Sequence, residues 1–486
     1  MISRALLPLA LLLAAAPSFA AETRDTWKGY ARINFEVDGC KAWIVEPKQP
    51  LPGNPWTWCM EFPDAFTERT GVPELLEKGF HHVHIVVGNT HGSPGALKHF
   101  DAFYKALQQH GLARKGALIG LSRGGLYAYN WAALNPDKVA CIYGDAPVCD
   151  FKSWPGGKGK GKGSAGDWSA LIKNYGFKDE AEALAYKGNP VDSLAPLAKA
   201  GIPLIHVVGD ADDVVPVAEN TALIEERYKA LGGSITVIHK PGVGHHPHGA
   251  DDTAPLVAFI LKHAGDAARD LGNIMPLGDS ITHGSGGKSG YRTVLWQQLA
   301  AAGFTCKFTG SHDGNSTPEN LAAGQARHEG HSGFIIDGRK LYDTPPPRNG
   351  LYEHIEEWKQ PGGADRILLM IGSNDVNIKY HLAEAPARLD GLVSHLVDAE
   401  KGVYPRARLY VASLVPMNTS PDADARVKAY NDAIPGIVEA HRAKGEDVHF
   451  VDLHSPLNFS DFPDNLHPNA GGYKKMADAW FKALTH

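Results

Sequence analysis

The sequence predicts an α/β protein built as two consecutive α/β/α units. Three features carry that prediction. Short apolar runs alternate with amphipathic stretches of helical period, the pattern of mostly parallel sheets covered by helices on both faces. The alternation occurs twice, over about residues 24–265 and again over 272–486, and no repeat relates the two series. Each series also places one serine directly behind an apolar run, in ALIGLSRGG at 117–125 and in IMPLGDSITHG at 274–284.

The first series opens with ARINFEV, KAWIVEP, WTWCMEF and HHVHIVV, which lack helical spacers and are expected to form an antiparallel edge. In the last of these runs His81, His82 and His84 alternate across the strand, which points to structural roles. The strand candidates ALIGLS, VACIYGDAP, PLIHVVGDAD and ITVIHKPG follow, separated by the helical patterns HFDAFYKALQQHG, LYAYNWAALNPDK and AENTALIEERYKALG, and TAPLVAFILKHAG closes the series. PGGKGKGKGSAGDW at 155–168 sets Lys158, Lys160 and Lys162 among glycines and reads as a flexible, solvated loop. AGDAARDLG at 264–272 reads as a short linker. The second series then runs through NIMPLG, TVLWQQLAAAG, TCKFTGS, RILLMIGS, LDGLVSHLVDAEKG, RLYVASLVP, AYNDAIPGIVEAHRAKG, VHFVDLH and GGYKKMADAWFKALTH, a complete smaller α/β unit.

The 486 residues leave room for two to three domains with large cores. A formal charge of −6 argues against a nucleic-acid partner and gives no reason to invoke a membrane surface. Residues 1–20 read as an export signal: Arg4 supplies the positive end, LLPLALLLAAA the apolar region and Ser18-Phe19-Ala20 the cleavage site. The mature chain is therefore expected in a periplasm or outside the cell. Five cysteines, Cys40, Cys59, Cys141, Cys149 and Cys306, leave at least one without an internal partner. Cys40 with Cys59 and Cys141 with Cys149 are the candidate bridges, and inert buried thiols are the alternative.

The chemistry begins at Ser122. A predicted strand precedes Gly120-Leu121-Ser122-Arg123-Gly124 and a helix follows, giving the sharp turn that exposes a nucleophilic serine. The backbone N–H of Arg123 is an oxyanion-hole candidate, with a second donor sought near Glu61 or Phe62. A serine hydroxyl needs a base, and KPGVGHHPHG offers His245, His246 and His248, of which His245 is favoured by its position directly after the glycine. His-x-x-His also has metal-ligand spacing, but no Glu or Cys set accompanies it, so no metal is expected. VVGDADDVVP supplies the acid: Asp212 is preferred, three residues past Gly209, with Asp210, Asp213 and Asp145 in reserve. With these residues the first series resembles the α/β-hydrolase superfamily, which implies that fold, a Ser122-Asp212-His245 triad and ester cleavage.

Gly278-Asp279-Ser280 lacks the second glycine of that turn and is a different design. His328-Glu329-Gly330-His331-Ser332-Gly333, Ile371-Gly372-Ser373-Asn374-Asp375 and Asp464-Asn465-Leu466-His467-Pro468-Asn469 follow in order. Ser280 suits a nucleophile, His467 its base, and Asp464, three residues earlier, reaches the other ring nitrogen. The N–H groups of Ser280 and Gly330 and the amide of Asn374 would hold an oxyanion. The four blocks resemble those of the SGNH (GDSL) hydrolases, which implies a flavodoxin-like sheet. MPLGDSITHG, HEGHSGF and LHPNAGGYKKMADAW further resemble the acetylxylan-esterase branch, carbohydrate esterase family three. That resemblance implies deacetylation of polysaccharides such as xylan, without a metal or other cofactor.

Two serine sites on one exported chain suit a substrate with several ester positions, such as acylated plant polysaccharide or its oligosaccharides. The expected activity is a bifunctional carbohydrate esterase, with acetyl esters cleaved at Ser280 and acetyl or bulkier esters, feruloyl among them, at Ser122. One alternative is a secreted lipase or thioesterase. Another is a single active esterase whose first unit only docks on polysaccharide, with Trp56, Trp58, Trp154 and Trp168 as stacking candidates.

Overall fold

The computed structural model describes residues 22–339 and 346–485, and the export-signal segment at 1–20 lies outside them. Strands β1 (Thr23–Trp27), β2 (Tyr30–Val37), β3 (Cys40–Val45), β4 (Trp56–Cys59), β5 (His81–Ile85), β6 (Gly116–Leu121), β7 (Val139–Asp145), β8 (Leu204–Gly209) and β9 (Ile235–Lys240) form one sheet. Its order is β1-β2-β3-β5-β4-β6-β7-β8-β9. The pairs β1–β2, β2–β3 and β3–β5 are antiparallel, and all the pairs from β5–β4 onward are parallel. The antiparallel edge is thus narrower than the sequence suggests. Short helices at Thr67–Thr70 and Val72–Glu77 separate β4 from β5, so β4 crosses over into the parallel part. β1 is polar and exposed at four of its five positions, which is why no apolar run announces it.

The second sheet holds β10 (Asp270–Gly278), β11 (Thr305–Phe308), β12 (Glu329–Gly330), β13 (Arg366–Met370), β14 (Arg408–Ala412) and β15 (Val448–Val451). Its order is β11-β10-β13-β14-β15, all parallel, with β12 pairing β10 beyond the end of β11. This is the doubly wound arrangement in which the chain reverses its direction of travel at the first strand, leaving a crevice at that strand's carboxyl end. Both sheets are mainly parallel and flanked by helices, as the α/β class requires. Their central strands are fully buried, GALIGL in β6 and RILLM in β13, because helices cover both faces.

Three local expectations are corrected. AGDAARDLG is not an irregular linker: a helical stretch runs from Ala254 to Arg269, with a π turn at Leu261–Gly265, and passes directly into β10. The Gly-Lys loop is docked by carboxylates. Lys158 pairs with Glu180 at 2.5 Å, the Lys160 N–H donates to Glu219 at 2.5 Å, and Lys162 pairs with Asp213. Trp56 and Trp58 are wholly buried, Trp58 lying edge-on to Phe100, Phe103 and Trp131, so neither offers a face to sugar. All five cysteines are free thiols, and burial pushes the Cys59 thiol up to about 12. Among the described residues no helix is long and apolar enough to cross a membrane.

His81, His82 and His84 are all buried, since helices and loops close both faces of β5. Burial lowers His81 to about 4 and His82 and His206 to about 3. An unfolded chain takes up a proton at each near pH 6.5, and the folded chain does not, so stability falls as pH drops below that value. At pH 5 each such histidine should cost about 2 kcal/mol relative to pH 8. Urea unfolding at the two pH values, compared between wild type and His82→Asn, should show the acid loss reduced in the variant.

Candidate functional site

Ser122 follows β6 with φ of +50°, a left-handed conformation that costs energy for any residue with a Cβ. The turn closes because its flanks are small. A Cβ at Gly120 would lie 2.9 Å from the Gly124 carbonyl oxygen, and one at Gly125 would lie 2.7 Å from Pro147 Cβ. Backbone bonds pin the turn to the end of β7, from Ser122 N–H to the Asp145 carbonyl (2.9 Å) and from Val148 N–H to the Ser122 carbonyl (2.8 Å). The serine is thereby held rigidly at the carboxyl edge of the sheet.

His245, after β9, sets Nε2 3.0 Å from Ser122 Oγ, and its Nδ1 lies 2.7 Å from Asp212 Oδ2. Asp212 Oδ1 accepts the N–H groups of Val214 (2.9 Å) and Val215 (2.8 Å), which fixes the carboxylate. The reserve aspartates are engaged elsewhere: Asp210 with His239, Asp213 with Lys162, and Asp145 with His248 and the N–H of Gly249. The Arg123 N–H stands at the cap of the helix Gly124–Leu134, where backbone donors have no intrahelical acceptor. The Arg123 guanidinium lies against the Phe62 ring and donates to Glu61 at 2.9 Å. Burial raises the Glu61 carboxyl, and Arg123 opposes the rise. Arg123 also reaches Asp167 at 3.6 Å, and Asp167 in turn meets the buried His91 at 3.2 Å. Glu61, His91 and Asp167 come from three distant segments and form no local motif, so sequence reasoning missed this network.

The second cluster lies at the carboxyl end of β10. Asp279 caps the short helix Ser280–His283, accepting the N–H of Ile281 at 3.0 Å, and Ser280 takes its first position. Ser280 Oγ is 2.9 Å from His467 Nε2, and His467 Nδ1 is 2.7 Å from Asp464 Oδ2. Asp464 Oδ1 accepts the N–H groups of Leu466 (3.0 Å) and His467 (2.6 Å). Partial burial works against ionisation of Asp464, but these N–H groups and the His467 ring outweigh it and hold the carboxyl below its usual range. Asn374, after β13, donates from Nδ2 to the Phe334 carbonyl (2.9 Å) and accepts from Arg348 at Oδ1 (3.2 Å), leaving one amide hydrogen.

Gly330 requires a correction. Its N–H donates to His328 Nδ1 at 2.9 Å, and the other ring nitrogen of His328 is bound to the Gly314 carbonyl, so this N–H is already occupied. What Gly330 supplies is space: a Cβ there would sit 2.4 Å from the His283 backbone nitrogen. His331 stacks on Trp358 with ring centroids 3.7 Å apart and meets Glu329 at 2.8 Å.

Residues 277–475, which contain Ser280, Asn374, Asp464 and His467, match the sequence profile of the GDSL-like Lipase/Acylhydrolase family. The C-terminal half is a GDSL-type hydrolase domain. A multidomain esterase of Ruminococcus flavefaciens is 30% identical over 226 residues, covering 43% of this chain and 28% of that protein. The chain therefore spans little more than a quarter of that curated relative. Among solved structures, a family 3 carbohydrate esterase of Clostridium thermocellum is 33% identical, covering 45% of this chain and all of the other, with a TM-score of 0.36. Est1E from Butyrivibrio proteoclasticus is 14% identical, covering 51% of this chain and all of the other, with a TM-score of 0.35.

Beneath the GDSL serine, the Asp279 carboxyl is completely buried, with the Ile281 N–H and the Ser373 hydroxyl as the groups that favour its charged form. Burial raises it from 3.8 to about 6. The folded chain keeps this proton longer than the unfolded one, so stability contributed here falls as pH rises from about 4 to about 6. Asn at 279 keeps the capping acceptor without the charge. Relative to wild type, Asp279→Asn should therefore gain stability across that interval, by up to about 3 kcal/mol above pH 6. Denaturant midpoints of both proteins between pH 4 and 7 provide the check, and a constant difference would reject the assignment.

Proposed function

We propose that this chain is an exported carboxylic-ester hydrolase of acylated carbohydrate, with two independent serine sites. The observation that carries the reading is the pair of hydrogen-bonded chains Ser122–His245–Asp212 and Ser280–His467–Asp464, each at the carboxyl edge of its own sheet. In each, the carboxylate holds Nδ1–H, so Nε2 presents its lone pair to the serine. The hydroxyl attacks the ester carbonyl as its proton passes to Nε2, and a tetrahedral oxyanion forms. The imidazolium returns the proton to the departing sugar oxygen, leaving an acyl-serine. Water then attacks this ester, gives a proton to the same nitrogen, and the acid leaves as the serine is restored.

The oxyanion at the first site would meet the N–H of Arg123 and that of Glu61, whose backbone nitrogen lies 3.7 Å from the position of a Cβ on Gly124. At the second it would meet the N–H of Ser280 and the remaining hydrogen of Asn374. Each such donor contributes about 3 kcal/mol to lowering the barrier. The carbohydrate assignment draws on the esterase relatives, and xylan-type acetyl esters are the substrate assigned to the GDSL site. The first site would take acetyl or bulkier acyl groups, feruloyl among them. Export follows the reading of residues 1–20.

Ser122→Ala and Ser280→Ala test the reading on acetylated xylan and on feruloyl esters. Ser280→Ala should lower acetate release at the GDSL site about 10⁶-fold, and Ser122→Ala should do the same to the remaining activity. Unchanged acetate release from Ser280→Ala would reject the GDSL assignment. Asp212→Asn should reproduce most of the Ser122→Ala loss, whereas Asp210→Asn should cost little.

A further inference from the structure

We propose that His245, His246 and His248 form a binding site for a divalent transition-metal ion of the zinc class, and that occupancy withdraws the base from Ser122. Each ring offers a ligand nitrogen, and these atoms lie within 4.8 Å of one another. Zinc bonds of about 2.0–2.1 Å in tetrahedral geometry need ligand nitrogens roughly 3.4 Å apart, so a modest closure completes the set. His246 is exposed, stacks on the Phe66 ring and meets the His245 and His248 rings edge-on, so it is placed to make that closure.

The tautomers are what single out this cluster. His245 holds Nδ1–H against Asp212 and His248 holds Nδ1–H against Asp145, at 2.7 and 2.6 Å. Both rings therefore carry their lone pairs on Nε2. A carboxylate behind a histidine is the usual support of a metal-bound imidazole, and here two of three rings have one. The two carboxylates also balance a divalent charge. The sequence suggests the opposite because Asp145 and Asp212 lie 103 and 33 residues from their histidines. Among the described residues the other grouping of candidate ligands, His312, Glu329 and His331, includes neither catalytic base.

Nε2 of His245 has one lone pair. Bound to a metal, it cannot accept the Ser122 proton, so the ion would act as a reversible inhibitor of the first site. That consequence rests on the proposed role of Ser122, whereas the metal site does not. Calorimetric titration with zinc alone, on the full chain and on His246→Ala, tests the site. Wild type should show a binding step that the variant lacks or makes weaker by more than the 10- to 100-fold typical of losing a group behind a ligand. Identical stoichiometry and affinity in the two proteins would overturn the proposal. In a Ser280→Ala background, zinc should also block labelling of Ser122 by a fluorophosphonate, a chelator should restore it, and His246→Ala should be labelled in zinc as without it. If labelling proceeds unchanged while zinc is bound, the inhibitory role fails. If Ser122 is never labelled, the esterase reading of that site fails, and calorimetry alone decides the metal site.

Discussion

A hydrogen bond from imidazole Nδ1 to a carboxylate is the interaction on which the proposed chemistry of both halves depends. It fixes which ring nitrogen carries the lone pair, and it balances the charge that appears when the ring takes a proton. Both halves make this bond at 2.7 Å, but with different surroundings. The side chains of His245 and Asp212 are almost wholly buried, and two backbone N–H groups hold the second carboxylate oxygen. Asp464 is about half exposed and is held by N–H groups from its own turn. The first arrangement depends on three separate strand ends meeting. The second needs only a four-residue segment brought to one strand end.

The serines are positioned by different means for a related reason. Ser122 sits in a left-handed turn that Gly120 and Gly125 make room for, with its backbone clipped to β7. Ser280 needs no strained backbone, because Asp279 caps the short helix that begins with it. The energetic burden is carried differently: in one case as backbone strain, in the other as the burial of a carboxyl. Both kinds of cost are tolerated where the surrounding sheet is rigid.

Much of this was legible in the sequence, and the rest was not, for physical reasons. Central strands such as GALIGL and RILLM declare themselves because a parallel sheet covered on both faces must be apolar throughout. The serine blocks are legible because turns at strand ends demand particular small residues at fixed spacing. β1 is invisible because an exposed edge strand needs no apolar side chains. The end of the helical stretch at 254–269 is hidden because its polar residues, GDAAR, resemble a loop in composition. The occupied N–H of Gly330 could not be foreseen, since it depends on the ring orientation of His328. The pairing of His248 with Asp145 is hidden likewise, because only the fold brings β7 beside the loop after β9.

The contact between the halves bears on how the two serine clusters are presented. Arg114, just before β6, pairs with Asp365, just before β13, and Arg408, the first residue of β14, donates to Gln108 at 2.9 Å. These contacts lie at the amino ends of the strands. Ser122 and Ser280 lie at the carboxyl ends, so each site opens on the side of its sheet remote from the contact. Under the proposed function, a polymer would present separate esters to both, and a site held by one encounter would raise the effective concentration of the other along the same chain. On that reading, linkage on one chain acts through a shared polymer and not by passing a product from one serine to the other.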